Sequence, residues 1–282
     1  MNILIGLVPA LFWGILPLWL RKVTGGTYQS QLVGTTGGVL LVALTMEVLC
    51  RFPVTPKAFI IFFLSGFFWS FGQAGQYFSY ESLGVSLTMP LSTALQVVGN
   101  GFIGGILFAE WKGSPRLIFL GVVALFVILV GVILTNKRGQ DSSEGTFKNY
   151  MILVLSTCGY WLYSALPLLA DQSSKVIGFL PQAFGMFLSS ILISARERSE
   201  ILSKETLKNL SSGVIFAIAA FTYLVAMSRL GMVNAFVLSQ LNVVVSTVAA
   251  ILVLQETDKR YIPRILLGLV LIIAGAALMI MR

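Results

Sequence analysis

Histidine is absent from this chain of 282 residues, cysteine occurs only twice, and 11% of positions are charged. Without histidine the chain lacks the commonest metal ligand and the side chain that titrates nearest neutral pH. Cys50 and Cys158 fall within or at the edge of apolar runs. They offer neither a disulfide framework nor zinc spacing and read as small hydrophobes. No metal or cofactor is expected, and with no catalytic dyad in view an enzyme is the least expected class. Soluble domains carry about 25% charged residues, so the scarcity of charge excludes a water-exposed surface over most of the chain.

What is present is apolar: 57% of the residues are hydrophobic, and the mean hydropathy is +0.91. The runs LIFLGVVALFVILVGVILT (117–135) and ILLGLVLIIAGAALMIM (265–281) hold no charge at all. A helix needs roughly 20 such residues to cross about 30 Å of hydrocarbon. The chain therefore reads as an all-α integral membrane protein whose first partner is the lipid bilayer. Its net charge of +8, from 19 basic against 11 acidic residues, does not point to nucleic acid. The basic residues sit at span ends and in loops, where they set topology and meet headgroups. The opening stretch 2–20 lacks a basic leader region and an A-x-A cleavage pattern, so it reads as a retained span.

Ten spans are predicted, over residues 2–20, 31–50, 58–80, 84–108, 116–135, 150–170, 176–195, 212–229, 231–254 and 263–281. The polar segment NKRGQDSSEGTFK (136–148) divides them into 1–135, a linker over 136–149, and 150–282. ARERSEILSKETLKN (195–209) has charges at mixed helical spacing and is expected to form a short surface helix. The halves are related. A shift of 147 residues lays SGFFWSFGQAGQYFSYESLG (65–84) on SGVIFAIAAFTYLVAMSRLG (212–231), with Ser65/Ser212, Gly66/Gly213, Leu83/Leu230 and Gly84/Gly231 coinciding. After one deletion the shift becomes 146, pairing Gln96 with Asn242, Asn100 with Ser246 and Glu110 with Glu256. Five spans per repeat send the second half into the membrane from the opposite side. Two inverted five-helix repeats are the architecture of secondary transporters, with the substrate at the midplane. Seven basic residues fall on the side of the termini and 12 on the other, which favours both termini outside.

Within TMPLSTALQVVGNG (88–101), Thr88, Ser92, Gln96 and Asn100 recur every fourth residue and share one helix face. Lipid cannot hydrogen-bond them, so they are expected to face the bundle interior. Trp69, Gln73, Gln76 and Tyr80 form a matching face in the third span. Phe216, Tyr223, Ser239, Asn242 and Ser246 extend the set, with Trp13 in the first span and Tyr160, Trp161, Tyr163 and Ser164 in the sixth. This is an inventory of amides, hydroxyls and aromatic rings. Amides supply paired donors and acceptors, and flat rings bury the C–H face of a sugar without demanding charge. The candidate substrate-binding residues are Gln73, Gln76, Gln96, Asn100, Asn242, Trp13, Trp69, Tyr160, Tyr163 and Tyr223. Glu47, Glu110 and Glu256 are the candidates for a gate or for coupling to protons, although no carboxylate lies in mid-span.

PALFWG (9–14), WSFGQAGQ (69–76), GVSLTMPLSTALQVVG (84–99), AEW (109–111) and LSQLNVVVST (238–247) resemble the glucose/ribose porter family of the drug/metabolite transporter superfamily. The resemblance runs across nearly the whole chain. It implies ten helices in two inverted halves in a bacterial plasma membrane, and sugar uptake often described as proton symport. The chain departs from that pattern in carrying GILFAEW where many relatives have a glycine before the glutamate, and a polar Asn100 where others vary. A small neutral sugar of the glucose or ribose class is the expected partner, bound by a monomer or homodimer working by alternating access. The alternatives are an exporter of amino acids or other metabolites, and a sugar-binding membrane receptor that does not transport.

Overall fold

The computed structural model describes residues 2–108, 115–135, 147–170, 175–254 and 259–280. They form α1 (Asn2–Trp19), α2 (Tyr28–Cys50), α3 (Pro56–Ser82), α4 (Val85–Phe102), α5 (Pro115–Thr135) and α6 (Phe147–Ala165). After these come α7 (Phe179–Ile193), α8 (Arg198–Ile201), α9 (Lys204–Leu230), α10 (Met232–Ser239), α11 (Asn242–Ala249) and α12 (Ile262–Ile280). The described residues contain no strand. Among them, nine helical stretches are long and apolar enough to cross a membrane. α4 is not one of the nine, because the polar stripe that marks it in the sequence dilutes its apolar content.

Local chemistry sets where the helices begin and end. Thr27, Thr55 and Ser203 cap α2, α3 and α9, each side-chain oxygen accepting from the backbone N–H three residues on. The corners between α3 and α4 and between α9 and α10 are made by Gly84 (φ 81°) and Gly231 (φ 78°), a conformation that only glycine adopts freely. These two glycines coincide under the 147-residue shift. Two π-turns, Ile103–Leu107 and Ala250–Leu254, stand in the same relation.

Two expectations about boundaries change. α9 begins at Lys204 rather than 212, because the Ser203 cap draws the charged residues 204–209 into the long helix. Only Arg198–Ile201 remains as the expected surface helix. The ninth span is not continuous. Around Gln240 the backbone tightens to three-residue bonds, Leu241 N–H to Leu238 O at 3.2 Å and Val243 N–H to Gln240 O at 3.1 Å, which separates α10 from α11.

Apolar side chains are exposed as well as buried, and many polar ones are buried. Leu4, Val48, Phe119, Phe126 and Leu155 are exposed, whereas Ser65, Ser70, Gln73, Gln182 and Asn209 are buried. In hydrocarbon there is no water to drive helices together, so close backbone approach and internal hydrogen bonds hold them. Gln182 Nε2 donates to Ser65 Oγ at 2.8 Å, which donates to Tyr163 O at 2.8 Å, tying α7, α3 and α6. α5 packs on α12, α2 on α9, α3 on α7 and on α6, and α1 on α9. At the α2–α9 crossing a Cβ on Gly38 would lie 2.8 Å from the Gly213 Cα. Gly213→Val therefore forces these helices apart. Overpacking of this kind costs about 1–3 kcal/mol, and a lowered unfolding temperature in detergent is the expected outcome.

Candidate functional site

Between the helices lies a partly open cavity. α1 contributes Trp13, Leu16 and Pro17; α3 contributes Trp69, Gln73, Gln76 and Tyr80; α4 contributes Met89, Thr93 and Gln96. From the other half come Tyr160, Tyr163 and Ser164 of α6, Phe216 and Tyr223 of α9, Phe236 of α10, Gln240 of the break, and Asn242 of α11. No acidic or basic side chain lines it among the described residues.

A hydrogen-bonded chain runs across the α3–α4 wall. Tyr160 Oη–H lies 2.9 Å from Gln73 Oε1 and 3.0 Å from Gln76 Oε1 and donates there. Gln76 Nε2 donates to Ser92 Oγ at 2.9 Å, and Gln96 Nε2 donates to the same oxygen at 3.0 Å. Their four-residue spacing on α4 and three-residue spacing on α3 put these side chains on facing surfaces of neighbouring helices. The opposite wall is aromatic. Trp69 and Phe216 meet with ring centroids 4.6 Å apart, Trp13 lies 5.5 Å from Tyr223, and Tyr163 stacks on Tyr223 at 6.3 Å.

Several buried polar atoms around the cavity have no hydrogen-bond partner within the protein: Trp13 Nε1, Tyr163 Oη, Gln240 Oε1 and Asn242 Oδ1. A buried donor or acceptor left unmade costs about 1–3 kcal/mol. Four such atoms around one cavity make it a site prepared for hydroxyl groups or water. Its lining among the described residues offers hydrogen bonds and ring faces but no charge.

Nine of the ten residues expected to bind substrate line this one cavity. Asn100 does not; it is buried beyond it. Glu47 sits in the last turn of α2, outside the lining, and Glu110 and Glu256 lie outside the described residues. Trp161 turns away, its Nε1–H donating to Leu95 O at 3.1 Å. Leu16, Pro17, Met89, Thr93, Phe236 and Gln240 also line the cavity and are missed by a search for polar stripes. The internal shift points to Leu16 from Tyr163 and to Pro17 from Ser164, but Met89/Phe236 and Thr93/Gln240 each pair two missed residues. Trp13/Tyr160, Leu16/Tyr163, Pro17/Ser164, Trp69/Phe216, Gln76/Tyr223, Met89/Phe236 and Thr93/Gln240 are each 147 residues apart. Gln96/Asn242 are 146 apart, leaving Gln73 and Tyr80 as the two lining residues without a counterpart there.

A polytopic helical membrane protein with a neutral, amide- and aromatic-lined central cavity is the class that fold and site define. Residues 4–281 match the family described as sugar transport protein, and the chain belongs to that family. It is 38% identical over 282 residues to the glucose uptake protein GlcU of Bacillus subtilis (strain 168), covering 98% of this chain and 96% of the relative. A Lactobacillus helveticus protein with a provisional sugar-uptake name is 36% identical over 281 residues, covering 99% and 100%. A protein of known crystal structure superposes with a TM-score of 0.69 over 98% of this chain and 97% of its own. At 18% identity, that likeness concerns the fold alone.

Replacing Tyr160 by Phe removes the hydroxyl that joins Gln73 to Gln76 and leaves buried amide oxygens short of a donor. The expected outcome is a loss of about 1 kcal/mol of stability, in the range for one such bond, read as a lowered unfolding temperature of the purified protein.

Proposed function

We propose that this protein takes up a neutral sugar of the glucose or ribose class, which binds in the central cavity and crosses by alternating access. The observation that carries the proposal is the cluster of unpartnered neutral polar atoms facing aromatic walls. A sugar supplies what that site lacks: hydroxyls for Gln240, Asn242, Tyr163 and Trp13, and apolar C–H faces for the rings. The names of the relatives, glucose uptake protein and sugar uptake protein, agree with this direction of transport.

The moving parts in this reading are two inverted five-helix halves, 1–135 and 150–282, joined by the segment 136–149. Counting α4 with its π-turn as one span and α10 with α11 as another gives ten. Exchanging α1 with α6, α2 with α7, α3 with α9 and α5 with α12 maps the principal packing pairs onto one another: α2–α9 becomes α7–α3, and α1–α9 becomes α6–α3. The eight related pairs in the lining support the same exchange. A pseudo-two-fold of this kind lets one half rock against the other around a fixed midplane site. No carboxylate lines the cavity among the described residues, so any proton that accompanies the sugar would have to be carried elsewhere, by Glu47, Glu110 or Glu256.

Uptake of labelled glucose and ribose into proteoliposomes, with and without an inward proton gradient, tests the proposal. Entry of at least one sugar is expected, with Gln96→Ala or Gln76→Ala lowering the rate by about tenfold, the worth of one good hydrogen bond, while insertion is kept. Entry of neither sugar, or wild-type rates in both variants, would falsify the assignment of this cavity.

A further inference from the structure

Asn100 is the member of the α4 stripe that the cavity leaves out. It is 1% exposed, and neither its Nδ2 nor its Oδ1 has a hydrogen-bond partner in the protein. The glutamines of α3 and α4 all have partners. So does Ser246, its counterpart 146 residues later, whose Oγ–H donates to Val243 O at 3.2 Å. A fully buried amide with both ends unpaired is among the rarest features of a folded chain and calls for a reason.

Its position supplies one. Gln96, one turn earlier on the same face, lines the cavity. Gly104, one turn later and inside the π-turn that follows α4, lies against α10: a Cβ there would lie 2.8 Å from Val233 Cγ2 and 3.4 Å from Met232 Sδ. The neighbouring faces are taken, since a Cβ on Gly101 would meet Leu125 of α5 at 2.7 Å and Gly99 lies against the Trp161 ring of α6. Asn100 thus lies between the cavity and the α4–α10 closure. Met89, two turns before Gln96, marks the other end of the α4 lining, next to Tyr80 of α3, whose hydroxyl donates to its sulfur at 2.8 Å. A π-turn, Ile103–Leu107, follows at once and interrupts the regular helix at this closure.

We infer that Asn100 is a polar station on the closed half of the permeation path, exposed when α4 and α10 part. In that conformation the amide gains partners, first water and then the hydroxyls of the departing or arriving sugar. In the present conformation its unpaired atoms make the closed α4–α10 contact easier to leave. Asn100 is therefore a positioning residue for the conformational change, separate from the amides that hold sugar in the cavity. This rests on the transport reading, yet its first test needs no sugar.

Cys50 and Cys158 are exposed and are replaced by serine. Asn100→Cys and Met89→Cys are then introduced singly and treated with a membrane-impermeant methanethiosulfonate from each face of sealed vesicles. Met89→Cys is expected to react from one face and Asn100→Cys from the opposite face. Reaction of Asn100→Cys from the same face as Met89→Cys, or from neither face, overturns the inference whatever the protein transports. A second variant, Asn100→Leu, separates binding from movement. Glucose quenching of tryptophan fluorescence is expected to keep its midpoint within twofold of wild type while uptake falls tenfold or more. Equal loss of both, or uptake within twofold of wild type, overturns the inference. A wild-type protein that neither binds nor admits sugar overturns the transport reading instead.

Discussion

Inside a bilayer a polar atom has no solvent to fall back on, and the rest of this structure depends on that constraint. Every amide and hydroxyl must find its partner among the helices or in a cavity that water and solute can enter. Most of the buried polar side chains obey the first option, as Thr36 does with Ser190 at 2.7 Å and Ser70 with the Met186 carbonyl at 2.8 Å. Those bonds hold α2, α3 and α7 together where hydrophobic attraction cannot. Among the exceptions, Trp13, Tyr163, Gln240 and Asn242 converge on one space, whereas Ser82, Asn100, Ser189, Ser194 and Asn234 lie outside its lining.

How much of this the sequence discloses follows from the kind of signal each residue gives. An amide in an apolar run is conspicuous, and Gln73, Gln76, Gln96 and Asn242 could be placed on the interior from helical spacing alone. Leu16, Met89 and Phe236 could not. An apolar residue in an apolar span looks the same whether it meets lipid, a neighbouring helix or a ligand. Asn100 shows the opposite limit: spacing correctly puts it on the face of Gln96, but how far along that face a cavity extends is decided by Val233 and Met232 on another helix. The boundary of α9 was obscured because charge reads as loop, whereas Ser203 caps the helix and keeps its charged first turns helical. The break at Gln240 carries no glycine or proline to announce it.

The 147-residue shift matches backbone features more closely than side chains. Gly84 and Gly231 make the same corner with nearly equal φ, and Trp69 meets Phe216 across the centre. Yet within the lining the first half supplies Gln73, Gln76 and Gln96, while the second answers Gln76 with Tyr223 and Thr93 with Gln240. A corner must recur for a helix to turn back into the membrane at the right place. A cavity wall need not, because the two walls face one solute rather than each other's images.

That inequality has a consequence for a carrier. If both walls were identical, a sugar would have two equivalent orientations and no preferred contact in either. With the hydrogen-bonded amides gathered on α3 and α4, and the ring cluster built chiefly with α6 and α9, one orientation satisfies hydroxyls on one side and C–H faces on the other. In the proposed alternating-access reading, the solute keeps those contacts while the closure passes from one end of the bundle to the other, provided that the residues which change partner lie outside the site. On α4 that division falls between Gln96, whose amide is already bonded to Ser92, and Asn100, whose amide is bonded to nothing. The proposal thus places recognition and movement on successive turns of one helix.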